Sequence, residues 1–352
     1  MARTNHSFEK RQREAAKKKK KDEKRRRKLE NKDTPPPEAG NGNRDSADDE
    51  QEAGVRRSAD SRALTAPQPI ATRMKVRILY RSRYSYDEPV TFSQHLFRLF
   101  PRAERHVHVQ RSSFATNAGA AVSYQRDLFD NDVASCFYPE KSSVLQASLD
   151  LELEIEERDA FGFLVAPHAL ELPFAYAPGE LRALGPYLHG GREVGLPFWT
   201  PPRRARNTVE TLRELNDAIH RNLVYERRDE GESHSPEELL RRGAGACRDF
   251  AVLLAEVLRG LGVATRLASG YLCEFGGGDR VAEGSLHAWT EAYIPGAGWL
   301  GMDATNGTFC DHHHLTAAVG LEPEDISPVL GDYYSVRHVP AEMSASLEII
   351  PG

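Results

Sequence analysis

The stretch Gly243-Ala244-Gly245-Ala246-Cys247-Arg248-Asp249-Phe250 decides the fold, because a glycine-rich turn runs there into an unbroken helical segment. Ala251-Val252-Leu253-Leu254-Ala255-Glu256-Val257-Leu258 holds no breaker, and its apolar density predicts a helix buried in the core. Cys247 falls at the first turn of that helix, where unpaired backbone N–H groups and the positive end of the helix dipole converge. A thiol so placed ionises more readily, and the thiolate is the reactive form. Standing alone, a buried cysteine is an ordinary small hydrophobe. Its neighbours decide the reading.

Downstream, Ser285-Leu286-His287-Ala288-Trp289-Thr290-Glu291-Ala292-Tyr293-Ile294 reads as a strand, with His287, Trp289, Glu291 and Tyr293 on one face. Pro295-Gly296-Ala297-Gly298 signals a turn, and Trp299-Leu300-Gly301-Met302-Asp303-Ala304 a returning strand. A hairpin pairing symmetrically about this turn places Asp303 opposite or diagonal to His287 on the same face. A cysteine, a histidine that takes its proton and a carboxylate that orients the histidine make up a nucleophilic site. Each residue taken singly has a bland structural reading. The three in this order, on helix start, strand and neighbouring strand, point to thiol chemistry.

The motifs G-x-C-R-D-F (Gly245 to Phe250), Gly270-Tyr271-Leu272, S-x-H-A-W-x-E (Ser285 to Glu291) and G-W-x-x-x-D-x-T-N-G (Gly298 to Gly307) resemble the bacterial transglutaminase-like superfamily. Tyr84 to Val90 and Asp159-Ala160-Phe161-Gly162 resemble the amino-terminal domain that accompanies such enzymes. Downstream, His314-Leu315, Ala318-Val319-Gly320 and Asp325 to Pro328 also fit. The resemblance implies a papain-like Cys-His-Asp site carried by Cys247, His287 and Asp303, acting on amide bonds of a protein or peptide substrate without a cofactor or metal. It implies hydrolysis, as a cysteine peptidase or amidase, in preference to γ-glutamyl transfer and cross-linking. Two departures stand out: Ala304 replaces the usual proline after the aspartate, and Ala244 and Ala246 flank the glycine before Cys247. Neither removes a reacting group. In the same family a side chain near Tyr225 can assist the oxyanion, which makes Tyr225 a candidate beside the backbone N–H of Cys247.

Composition sets the frame. A chain of 352 residues with 39% hydrophobic and 28% charged content suits a soluble protein of one large or two ordinary domains. No apolar run approaches the roughly 18 residues of a membrane span, and the charged amino terminus is no secretory signal. Four cysteines without C-x-x-C spacing fit a reducing cytoplasm. No phosphate-binding or dinucleotide fingerprint asks for a nucleotide.

The expected class is α+β. Residues 1–73 read as a tail: basic blocks at Lys17–Lys21 and Lys24–Lys28 precede a proline-rich and acidic stretch. A solvated tail is the simpler reading, and weak contact with nucleic acid or an anionic surface the sharper one. A non-catalytic scaffold with a nucleic-acid-binding tail is therefore the rival reading from another class. Met74, where the resemblance begins, is an alternative start. Residues 74–170 form a β-rich, sandwich-like domain, 171–206 a connector, 207–318 the transglutaminase-like catalytic domain and 319–352 a carboxy-terminal extension. Thr208 to Val224 carries an apolar stripe through Leu212, Leu215 and Ile219. Ser235 caps a short helix ending at Gly243, and Asp249 reads as a structural carboxylate. His106 and His108 share a strand face and are expected at the surface. Phe309-Cys310-Asp311-His312-His313-His314 tempts a zinc reading, but adjacent residues cannot all point at one ion. Gly276-Gly277-Gly278 reads as a loop near the cleft.

Overall fold

Leucine and acid alternate along Ser148-Leu149-Asp150-Leu151-Glu152-Leu153-Glu154-Ile155, and that period of two folds as a strand with one buried face. The computed structural model describes residues 73–189, 194–228, 231–273, 282–283, 285–337 and 339–352. The basic and acidic blocks before Arg73 and the Gly276–Gly278 run lie outside these residues. The first strands are β1 (Arg73–Phe92), β2 (His95–Phe97), β3 (Val107–Thr116), β4 (Ala121–Arg126), β5 (Asp132–Phe137) and β6 (Ser142–Glu156). Then come β7 (Glu171–Leu172), α1 (Pro178–Leu188), β8 (Arg206–Asn207), α2 (Thr208–Asn222), β9 (Val224–Tyr225), α3 (Pro236–Arg242), β10 (Ala244–Gly245) and α4 (Cys247–Gly260). The rest is β11 (Thr265–Leu272), β12 (Ala282–Glu283), β13 (Ser285–Ile294), β14 (Gly298–Asp303), β15 (Thr308–Phe309), β16 (His314–Gly320), β17 (Val329–Leu330), β18 (Tyr333–Tyr334) and β19 (Ala341–Pro351). The α+β class holds.

Two sheets of the amino-terminal β region share a core. One runs β12-β19-β1-β6-β3, with β18 on β1, and the other β17-β2-β5-β4. The register sets Val76 against Leu153, Ile78 against Leu151 and Tyr80 against Leu149, so the buried faces coincide. Phe97, Ala134 and Cys136 from the second sheet, with Leu99 just after β2, close over them. The outward face carries ion pairs instead: Arg77 Nη2 donates to Asp150 Oδ2 at 2.8 Å. Leu151 is fully buried in this core. Leu151→Ala should cost about 2–5 kcal/mol, read as a lower urea midpoint at unchanged slope. A loss below about 1 kcal/mol would show that the two sheets do not share one packed interior.

Residues 319–352, read from sequence as an extension, supply β17, β18 and β19 to these sheets. β19 pairs with β1 from Val76–Pro351 to Tyr86–Ala341, and Gly352 N–H donates to Lys75 O. The stretch read as a connector contains α1, which Pro178 starts from the favoured first position and Glu180 caps by accepting the Ala177 N–H at 3.0 Å. His106 was expected at the surface and is buried, with Nδ1 3.6 Å from Glu104. His95 is buried as well, against Phe92 and Tyr138.

The second core packs α2 and α4 on a sheet of order β15-β14-β13-β11-β16. α4 lies along β13 through Ala251, Ala255 and Ala288, and the Thr290 hydroxyl donates to Ala251 O at 2.7 Å. Tyr271 and Leu315 from this sheet reach into the amino-terminal core, and Tyr271 OH donates to Leu99 O at 2.6 Å.

Candidate active site

The start of α4 is built by what surrounds Gly245. A Cβ at Gly245 would stand 2.6 Å from Leu239 and 2.7 Å from an Asp249 oxygen, so a larger residue there would push both side chains aside. Asp249, fully buried in the first turn, accepts the Ala246 N–H at 2.8 Å, the His234 N–H at 2.7 Å and Arg228 Nη2 at 2.9 Å. It ties Arg228 and His234 to the turn that presents Cys247. The charge is fully employed in this clamp, which fits a structural carboxylate. Ala246 O accepts from Asp249 N–H and Phe250 N–H, which leaves the N–H of Cys247 at the open end of the helix. β9 runs parallel to β10, with Tyr225 against Gly245, so the exposed Val224 and Tyr225 border the same turn.

His287 and Asp303 come from the hairpin β13–β14. Its register pairs Ile294 with Gly298 and Thr290 with Met302, which sets Asp303 diagonal to His287 on one face. Gly296 and Gly298 take φ of 86° and 79° in the turn between them, where other residues are strained. His287 Nε2 lies 2.8 Å from Asp303 Oδ2, and the ring is close enough to the Cys247 thiol for each to shift the titration of the other. With Nε2 held by Asp303, Nδ1 is the nitrogen left for the sulfur. Cys247 packs against the cluster that contains Ala288. Cys247 is half-buried, while His287 and Asp303 are buried. The structure brings Cys247, His287 and Asp303, singled out from sequence, to one place: the start of α4 beside the β13–β14 hairpin.

Burial alone would push the Cys247 thiol up; the hydrogen bond and charge of His287 and the Ala288 N–H outweigh it and pull the thiol below its ordinary value. Burial works against the His287 imidazolium too, yet Asp303 and Cys247 lift it to about 9. Asp303 would be raised by burial, but His287 and His314 hold it far below the usual carboxylate range. Its carboxylate accepts five hydrogen bonds. Oδ2 takes His287 Nε2, His314 Nε2 at 3.3 Å and Asn306 Nδ2 at 2.7 Å; Oδ1 takes the N–H groups of Thr305 and Asn306. Cys136, Cys273 and Cys310 are buried, and burial pushes each of their thiols up. Cys247 is the one cysteine in the chain with a depressed thiol.

Reading the sequence missed two members of this arrangement. Asn306 was visible as part of T-N-G, and its offset of three residues from Asp303 is what lets it turn back. His314 was noted only as a recurring histidine. Asp311, His312 and His313 bring ligand-type atoms within 4.8 Å of one another, but Asp311 Oδ1 already accepts the His313 N–H and meets His313 Nδ1 at 2.9 Å.

Residues 202–304, which span the start of α4 and the hairpin, match the model of the transglutaminase-like superfamily. Residues 76–154 match that of the bacterial transglutaminase-like N-terminal region. The chain belongs to the transglutaminase-like superfamily. An uncharacterised Mycobacterium tuberculosis protein is 28% identical over 304 residues, covering 80% of this chain and 95% of its own length. Another from Mycobacterium leprae is 26% identical over 276 residues, covering 74% and 93%. A solved structure, the "Putative Cysteine Protease from Cytophaga hutchinsonii", superposes with a TM-score of 0.55 at 17% identity, covering 80% of this chain and 99% of that one. At that identity the likeness is one of fold. It extends over both the amino-terminal β region and the transglutaminase-like core of this chain. This is the fold of a thiol enzyme.

Proposed function

We propose that this transglutaminase-like protein is a cysteine amidase or peptidase, with Cys247 as nucleophile, His287 as acid and base, and Asp303 as the group that orients His287. The His287–Asp303 hydrogen bond, with the Cys247 thiol lowered by His287 beside it, supports this reading. Sγ attacks the amide carbon while the oxygen takes the developing charge, stabilised by the Cys247 N–H at the start of α4. His287 gives its proton to the leaving nitrogen as the C–N bond breaks, leaving a thioester and a neutral imidazole. Water then adds to the thioester, its proton passes to His287, and the acid departs as the thiolate re-forms. Asp303 stays ionised throughout.

We favour hydrolysis over transfer to an amine on the resemblance to bacterial members of the superfamily; the exposed Val224 and Tyr225 border the turn before Cys247. The name of the Cytophaga hutchinsonii protein agrees with that choice. A protein or peptide substrate suits the superfamily core, and a reducing, cytoplasmic setting suits a nucleophile that must stay a free thiol. Glutamine peptides and peptide amides, incubated with and without a primary amine, test this. The expected product is the free acid with release of ammonia or peptide, unchanged by the amine. Predominant amine adducts would replace the reading with γ-glutamyl transfer, and no thioester with any substrate would favour a non-catalytic scaffold.

A further inference from the structure

Asp303 holds two histidines on one oxygen. His314, at the start of β16, sets Nε2 3.3 Å from the Oδ2 that His287 Nε2 already occupies at 2.8 Å. The sheet curls enough to bring the ends of β14 and β16 together, although β13 and β11 lie between them in strand order. The His314 ring is buried and stands edge-on to Trp289, with centroids 5.4 Å apart. Its Nδ1 is buried without a hydrogen bond and lies 3.6 Å from Asp311 Oδ1. Asp311 is about one-third exposed (31%), so the far side of His314 has a route for protons.

We propose that His314 is a positioning residue for His287: it binds Asp303 as a cation, divides the charge of that carboxylate, and so sets the pH range over which Cys247 and His287 exist as an ion pair. The proposal rests on the assignment of those residues as the reacting set. A histidine packed only for its shape needs no carboxylate at each ring nitrogen. Here Asp303 and Asp311 flank the ring, and together they outweigh the effect of burial and raise its pKa. The other groups around it do not reverse this balance. His287 faces it at 6.5 Å between ring centroids. A cavity of about 210 Å³ on its other side is lined by Glu104, Glu291, Arg102, Arg158 and Arg266, with Glu291 already paired to Arg266 at 2.7 Å.

The sign of the effect follows. Without a cation at position 314, the full charge of Asp303 acts on its neighbours. The thiolate then forms at higher pH, and the imidazolium also loses its proton at higher pH. The rate of Cys247 alkylation by iodoacetamide across pH, in the full chain, reads the first change. His314→Gln keeps an N–H donor for Asp303 and removes the charge; its profile should move up by roughly one pH unit. Asp311→Asn, at a partly exposed site, removes the anion that favours the cation and should move the profile the same way by less. Thermal unfolding of each variant reports separately on packing. If both variants fold and alkylate on the wild-type profile, the proposal is overturned. If His314→Gln fails to fold, Asp311→Asn decides alone. A wild-type profile with no thiolate below the ordinary thiol range would instead remove the ion pair, and with it the proposed enzymatic function.

Discussion

Cys247→Ala should lower turnover of any amide substrate by about 10⁴-fold or more, at an unfolding temperature close to that of the wild type. The size follows from the role. Without the sulfur there is no thioester, and the oxyanion donor and His287 can only assist direct attack by water. A 10⁴-fold loss corresponds to about 5.5 kcal/mol of barrier. Fold is spared because Cys247 sits half-buried at the edge of α4, whose packing depends on Phe250, Leu253, Leu254 and Leu258. In the wild type, iodoacetamide should label Cys247 ahead of Cys136, Cys273 and Cys310, which are buried and have raised thiols. The pH–rate profile should fall on its alkaline side near 9, where His287 loses its proton. A variant that retains a tenth of wild-type turnover would place the chemistry elsewhere.

Asp303→Asn should be nearly as damaging to turnover, with a loss on the order of 10³- to 10⁴-fold, while Cys247 still alkylates. An amide at this position can turn its NH₂ toward His287 Nε2, which selects the tautomer with the proton on Nδ1 and spoils the base facing the sulfur. The same substitution should change how stability depends on pH. The raised His287 contributes stability that is complete below about pH 6.5 and lost as pH rises through about 9. The depressed Asp303 contributes stability that is present above about pH 3.8 and lost as pH falls. Wild type should therefore be most stable between these limits, and Asp303→Asn should flatten both slopes. Urea unfolding at about pH 2.5, 5, 7 and 9.5 measures this. Identical pH dependence in both proteins would mean that the His287–Asp303 contact does not persist in solution.

Local periodicity carried most of what was legible. Alternation in β6 and β13 and the glycine turn at 295–298 specify strands and a hairpin within a few residues of one another, so Asp303 and His287 could be related by counting alone. The capped helix after Ser235 is equally local: the Ser235 hydroxyl accepts the Glu238 N–H at 3.2 Å, and Gly243 ends the helix at φ 70°. What stayed hidden is long-range. Nothing near His314 says that β16 begins beside the end of β14, because that contact joins strands with β13 and β11 between them in a five-stranded sheet. Nothing near Ala341 says that the final strand pairs with β1. The α1 helix was masked by its own chemistry, since Pro178 and Pro186 read as breakers when the first is a helix start and the second is tolerated within it. Burial of His106 and His95 likewise depends on which sheet folds over them, which polarity along one strand does not reveal.

The pairing of β19 with β1 bears on the order of events during synthesis. β1 is the first of the described strands to leave the ribosome, and the strand that covers one of its edges is the last of them. Until then the hydrogen-bonding edge from Val76 to Tyr86 stays unsatisfied, exposed to neighbouring chains during the slowest stage of a topology rich in distant contacts. A nascent chain halted before Ala341 would carry a complete Cys247 helix and hairpin beside an unfinished β region. Peptides fused after Gly352 would act at that same seam, next to the Gly352–Lys75 hydrogen bond.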